Sequence, residues 1–151
     1  PVRGETFVTK KIISGLCKIK KKELKTLYLG NIYAKRDWGH ARDYVEAMWK
    51  ILQQNKPDDF VIATGKQYTV KQFINLVCKQ LKIKINWKGK GLNEKAYDEN
   101  GEVIIKIDKN YFRPTEVDTL LGDSSKARRI LNWKPKVDIH ELITEMINFE
   151  L

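Results

Sequence analysis

Three polar stretches of this chain combine residue types that can grip an anion. The first is KRDWGHARDYVEAMW, from Lys35 to Trp49. Arg36 and Asp37 sit there between an apolar stretch that ends in Gly30-Asn31 and a helical pattern that begins near His40. A guanidinium at a strand-to-helix junction can fork onto two phosphate oxygens, and such junctions gather backbone N–H groups that favour anions. Asp37 is expected to cap the helix and orient Arg36; the same pair could instead brace the turn, with Trp38 as core filler. The second stretch is YFRPTEVD, 111–118, where Pro114 stiffens the chain just after Arg113 and Glu116 follows three residues on. An arginine for phosphate beside a carboxylate for ribose hydroxyls would make a nucleotide grip, and a surface ion pair would use the same residues. The third is VRGETFVTKK at the start, where Lys10 and Lys11 open a helix at its positive end. A bound anion would relieve that placement; two exposed lysines with long stems would tolerate it. His40, in Trp-Gly-His, is expected to bond a backbone group and hold its turn.

These side chains need a frame. Ile12, Ile13, Leu16, Cys17 and Ile19 form a helical stripe within residues 9–23, and LKTLYLGN alternates as a strand before a turn. From His40 onward Tyr44, Ala47, Met48, Ile51 and Leu52 follow helical spacing. Val45 and Trp49 widen the stripe so far that the helix should be covered on more than one side. FVIATG, residues 60–65, reads as a short strand covered on both faces. Thr69 and Gln72 form a capping box for a helix through Leu81, and Asp138 with Glu141 form a similar arrangement for the last helix. Ile83, Ile85 and Trp87 alternate as a strand, 88–101 reads as a polar loop, EVIIKID as a strand, and Asp123-Ser-Ser as a helix start. The pattern is mixed α/β without repeats.

The chain has 151 residues, 42% hydrophobic and 32% charged, which suits one folded unit with a core. Its formal net charge of +10 points to an anionic partner, although the lysines are scattered and no nucleic-acid motif is present. Cys17 and Cys78 sit among apolar residues and are expected to be reduced core thiols of a cytoplasmic protein. No apolar run reaches the ~20 residues of a membrane span, and no zinc spacing, P-loop, HExxH or serine triad occurs.

RGETFVTKKI, LGNIYAKRDWGHARDYVEAMW, DDFVIATG, YFRPTEVDTLLGD, SSKARRILNWKPKV and ELITEMI occur in this order along nearly the whole chain. Together they resemble the carboxy-terminal portion of the GDP-mannose 4,6-dehydratase family, within the extended short-chain dehydrogenases/reductases. The resemblance implies an α/β fold: the end of an NADP-binding Rossmann domain and a small α/β nucleotide-sugar-binding domain, with the cofactor domain ahead of Pro1. It implies conversion of GDP-mannose to GDP-4-keto-6-deoxy-mannose, with NADP taking hydride from C4 and returning it at C6 after water leaves. The glycine fingerprint and the catalytic Thr, Glu, Tyr and Lys are not in these 151 residues, so no catalytic residue is expected here, nor activity in isolation. Carried over residue by residue, Arg3 would contact NADP, although the usual Pro-Arg-Arg-Gly reads Pro1-Val2-Arg3-Gly4 here. Lys11, Asn31, Arg36 and Arg113 would hold the diphosphate or nucleotide, and Glu116 the ribose. GDP-mannose is the expected partner, with neither nucleic acid nor membrane, in a homodimer or homotetramer at full length. A related nucleotide-sugar epimerase or dehydratase, or a basic nucleic-acid-binding module, are the alternatives.

Overall fold

A computed structural model describes Gly4, residues 6–112 and residues 117–151. Three helices pack against one another beside a four-stranded sheet. They are α1 (Val8–Lys20), α3 (Val70–Leu81) and α5 (Ile139–Glu150), and the strands are β1 (Leu27–Leu29), β4 (Asn86–Lys88), β5 (Lys95–Tyr97) and β6 (Val103–Ile107). The sheet order is β1-β6-β5-β4: β1 runs parallel to β6, with Leu27 opposite Ile105, and the other pairs are antiparallel. Ile12, Ile13 and Leu16 of α1, Phe73, Ile74 and Val77 of α3, and Ile143 of α5 are buried in one core with Leu27, Leu29 and Ile105. Each helix brings its i, i+3, i+4 stripe to that core, which is why the sequence periodicity was sufficient to locate all three. Helix α1 lies so near β1 that a Cβ on Gly15 would come within 2.8 Å of Leu27 Cδ1.

Local chemistry sets the helix ends. At α3 the Thr69 hydroxyl accepts from Gln72 N (3.0 Å) while Gln72 Oε1 accepts from Thr69 N (2.7 Å). At α5 Asp138 accepts from His140 N and Glu141 N, and Glu141 returns the bond to Asp138 N. Both expected boxes therefore form, each satisfying N–H groups that a helix start leaves unpaired.

A two-stranded antiparallel ribbon, β2 (Lys35–Arg36) with β3 (Tyr68–Thr69), joins this layer to a smaller second cluster. There α2 (Ala41–Leu52) and α4 (Ser125–Ile130) bury Ala47, Ala127, Leu131 and Trp133, with Tyr44, Ile51, Phe60 and Ile62 packed around them. Asp43 is buried against the chain that follows: its Oδ2 accepts from Lys136 N and Val137 N, both at 3.0 Å, and its carbonyl accepts from Trp133 Nε1 at 2.8 Å.

Three expectations are corrected. Residues 60–65 form no strand with the described residues. Thr64 N and Gly65 N donate to the Asp37 carboxylate instead of a ladder, and the segment is not covered throughout, Val61 being exposed and Ala63 buried. The polar loop 88–101 contains β5 and the buried Glu94, whose carboxylate receives Tyr33 Oη and Lys71 Nζ. Helix α2 is covered by the described residues on one side only: Val45, Met48, Trp49 and Leu52 are all at least 60% exposed.

Candidate functional site

The carboxyl end of β1 opens into a cleft of about 370 Å³. Lys11 reaches it from the first turn of α1, Asn31 from the turn after β1, Arg36 from β2, Trp38 from the segment that follows β2, and Tyr111 from the 3-10 turn Lys109–Tyr111. Three of the residues expected to bind substrate therefore line one concavity, although 20 and then 5 positions separate them in sequence.

Each is held by its surroundings. Arg36 Nη1 donates to Val117 O (2.6 Å) and to Lys35 O (2.8 Å), which fixes the guanidinium at the cleft wall. Asn31 uses Oδ1 to accept from Tyr33 N (2.9 Å) in a local turn, which leaves its amide donors as the atoms suited to an anion. The ammonium of Lys11 stands 3.3 Å from the centre of the Tyr111 ring, a cation–π contact. Burial lowers the Lys11 pKa, and the negative charge of Asp108 partly opposes that shift. An anion in the cleft would oppose that shift. Trp38 is half-buried and packs on Phe73 with ring centres 4.9 Å apart, so it fills the core and also walls the cleft.

Lys10, beside Lys11, does something different. It is buried and ion-paired with Glu150 at the end of α5. The two lysines are thus neither a matched pair nor exposed, since successive helix positions point about 100° apart. Asp37 does not cap α2. Three residues separate it from Ala41, and the cap is His40, whose Nδ1 accepts from Arg42 N at 3.1 Å. The Asp37 carboxylate instead accepts from Thr64 Oγ1 (2.5 Å), Thr64 N and Gly65 N, tying the cleft's far strand to the second cluster.

Arg3, Arg113 and Glu116 lie outside the described residues. The described chain on each side of 113–116 does meet the cleft: Tyr111 lines it and Val117 accepts from Arg36. Ahead of that segment the backbone is clamped. Asp108 N donates to Leu29 O (2.8 Å), and Gly30 faces the Tyr111 carbonyl so closely that a Cβ would come within 2.3 Å of its oxygen. Sequence reasoning gave Gly30 a turn but no partner, and gave Tyr111 no role of its own. Tyr111 opens the YFRPTEVD stretch, and that local pattern carries no information about the Lys11 and Gly30 it meets. Among the described residues no cluster of three His, Cys, Asp or Glu could hold a metal ion, and no helix is long and apolar enough to cross a membrane. Cys17 and Cys78 are buried free thiols; burial pushes Cys78 up to about 12.

Known proteins share this sequence pattern and fold. The family model for GDP-mannose 4,6 dehydratase matches residues 1–146. GDP-mannose 4,6 dehydratase 2 of Caenorhabditis elegans is 51% identical over 147 residues, covering 97% of this chain and 38% of that protein. GDP-mannose 4,6 dehydratase of Dictyostelium discoideum is 52% identical over 148 residues, covering 97% and 42%. Among solved structures, RMD from Pseudomonas aeruginosa complexed with NADPH shares the fold at a TM-score of 0.78 and 17% identity, covering 99% of this chain and 44% of that one. The dTDP-glucose 4,6-dehydratase from Bacillus anthracis in complex with NAD does so at 0.73 and 14%, covering 99% and 40%. The chain spans about two fifths of the length of the curated relatives it matches. It has the mixed α/β fold of extended dehydratases and epimerases of nucleotide sugars, and it belongs to the GDP-mannose 4,6 dehydratase family.

Proposed function

We propose that these 151 residues are the carboxy-terminal, nucleotide-sugar-binding portion of a GDP-mannose 4,6-dehydratase, a lyase whose cofactor domain lies in the rest of a longer polypeptide. One observation carries the reading: Lys11, Asn31 and Arg36, from three separate elements, converge on a single cleft. Two cations and an amide donor there suit the two negative phosphates of a sugar nucleotide. Such contacts bind a part of the substrate remote from the reacting carbons, so their role is to position the hexose. Arg113 and Glu116 would complete the grip from the segment that follows Tyr111. NADP would be the cofactor of the longer protein and would supply a reversible hydride acceptor. Only Arg3 would touch it from this chain, and no cofactor geometry is assigned to the described residues.

The curated relatives at about half identity are GDP-mannose enzymes, which favours GDP-mannose over the UDP- and dTDP-sugars named for more distant structures. In the polypeptide extended to the relatives' length, Lys11→Ala and Arg113→Ala should each weaken GDP-mannose binding by about tenfold or more, with NADP binding retained. Unchanged substrate affinity in both variants, or tighter binding of UDP-glucose than of GDP-mannose, would overturn the assignment.

A further inference from the structure

Lys88, Lys95 and Lys106 stand 7 and 11 positions apart in sequence and meet only in the sheet. Lys88 pairs with Lys95 across β4 and β5, Lys95 with Lys106 across β5 and β6, and Lys106 with Tyr28 across β6 and β1. Directly paired residues point to the same side of a sheet, so these four side chains form one row across all four strands. The row lies on the face opposite Leu27, Leu29, Ala96 and Ile105, which are buried in the core. Tyr28 is 43% exposed, Lys88 is exposed, and Lys95 and Lys106 are half-buried. Neighbouring strands lie about 4.8 Å apart, so three ammonium stems leave the sheet within about 10 Å.

Like charges directly opposite each other cost stability, and the row holds two such pairs. Among the described residues none of the three lysines makes a salt bridge. The carboxylates nearest in sequence are engaged elsewhere. Glu94 is buried against Tyr33 and Lys71, Glu99 pairs with Lys84 (3.2 Å), Glu102 pairs with Lys25 (3.8 Å), and Asp108 accepts from Asn110 N (2.9 Å). Tyr97, two residues along β5 from Lys95, shares the face of the row, and the Lys88 ammonium stands 5.3 Å from the centre of its ring.

We propose that this face of the sheet binds single-stranded nucleic acid, the lysine row meeting phosphates while Tyr28 and Tyr97 offer rings to unstacked bases. Charge complementarity selects a polyanion. The two tyrosines on the same face favour one that carries planar bases over an acidic peptide or a lipid surface. No linear nucleic-acid motif is needed, because strand register makes the row and adjacency in sequence does not. The proposal uses none of the cleft residues and does not depend on which sugar nucleotide binds there.

The test is fluorescence anisotropy on the polypeptide extended to the relatives' length, with fluorescein-labelled oligouridylate and oligothymidylate of about 12 nucleotides. Binding should weaken with salt. Lys88→Gln, Lys95→Gln and Lys106→Gln together should weaken it by about tenfold or more at about 0.1 M salt, and should lessen the slope of log K against log salt by about 2. These changes relieve repulsion, so the melting temperature should hold or rise. Should the triple variant not fold, Lys88→Gln alone should lessen the slope by about 0.7. Tyr28→Ala should cost about fivefold or more, and Tyr28→Phe, which keeps the ring, should bind like the parent. Lys18→Gln, Lys20→Gln and Lys22→Gln together remove equal charge from the densest lysine run in the sequence and should change affinity by less than about twofold. Excess GDP-mannose should not displace the oligonucleotide. The proposal is overturned if the parent binds neither oligonucleotide, if the α1 variant loses as much as the sheet variant, or if GDP-mannose displaces the probe. Polyglutamate or phosphatidylserine vesicles held as tightly as the oligonucleotides would also overturn it, since the row would then answer to charge alone.

Discussion

Gly30→Ala is the smallest change that tests whether the cleft depends on the clamp between β1 and Tyr111. An added Cβ would lie 2.3 Å from the Tyr111 carbonyl oxygen, 2.7 Å from its carbonyl carbon and 3.2 Å from its Cβ. The obstructing atoms are backbone and cannot swing aside as a side-chain tip would. Reaching even 3.0 Å requires a retreat of about 0.7 Å. The turn that holds Tyr111 is tied to β1 through Asp108 N to Leu29 O and to itself through Tyr111 N to Asp108 O (3.1 Å), so it must shift as a body. Overpacking of this kind costs about 1–3 kcal/mol. The same shift separates the Tyr111 ring from Lys11, and loss of a sheltered cation–π contact of about 1 kcal/mol corresponds to about fivefold in affinity. Urea unfolding and titration with GDP, on the polypeptide extended to the relatives' length, would measure the two effects. Gly15→Ala is the control: its Cβ meets only the far end of the Leu27 side chain, away from the cleft, and should leave GDP affinity intact. Parental stability and GDP affinity in Gly30→Ala would refute the clamp as a determinant of the site.

Other consequences follow from buried polar groups. Burial alone would raise the Glu94 pKa, yet the Lys71 and Tyr33 hydrogen bonds and the Lys71 charge outweigh it and hold the carboxyl below its usual value. A depressed carboxyl stabilises above its unfolded pKa of about 4.3 and loses that contribution as pH falls through the folded value. Glu94→Gln should therefore destabilise by about 1–3 kcal/mol at pH 7 in urea melts, with the difference from the parent shrinking below about pH 4. Asp43→Ala removes two charge-assisted bonds to Lys136 N and Val137 N and should cost about 2–3 kcal/mol by chemical denaturation, whereas a loss under about 0.5 kcal/mol would show that the 133–137 turn holds without it. With its thiol pushed up to about 12 and buried, Cys78 should resist iodoacetamide at pH 8 in the native protein and react once it is unfolded; rapid native labelling would contradict the packing.

Much of the frame was legible from local pattern. The stripes of α1, α3 and α5, the two capping boxes and the turn at Gly30-Asn31 depend on residues within a few positions of one another. His40 likewise bonds the backbone of its own turn. FVIATG misled because a short apolar run is equally compatible with a buried strand and an extended packing segment. What separates the two is where Thr64 N and Gly65 N find acceptors, and that acceptor is Asp37, 27 and 28 residues away. Glu94 was hidden in a polar stretch because its partners come from Tyr33 and Lys71, outside that stretch.

Residue types alone determined that this chain holds helices at these places, that two cysteines lie in a core, and that arginine and lysine near strand ends could meet an anion. Family resemblance added which anion to expect. Only the tertiary structure decided that Lys11 and Arg36 share a cleft while Lys10 is committed to Glu150, that Tyr111 stands against Lys11, and that one apolar face of α2 has no cover among the described residues. The division follows from range. Propensity and capping act over three or four positions, whereas a binding cleft is an agreement between distant segments, reached when the β1–β6 pairing and helix packing bring them together.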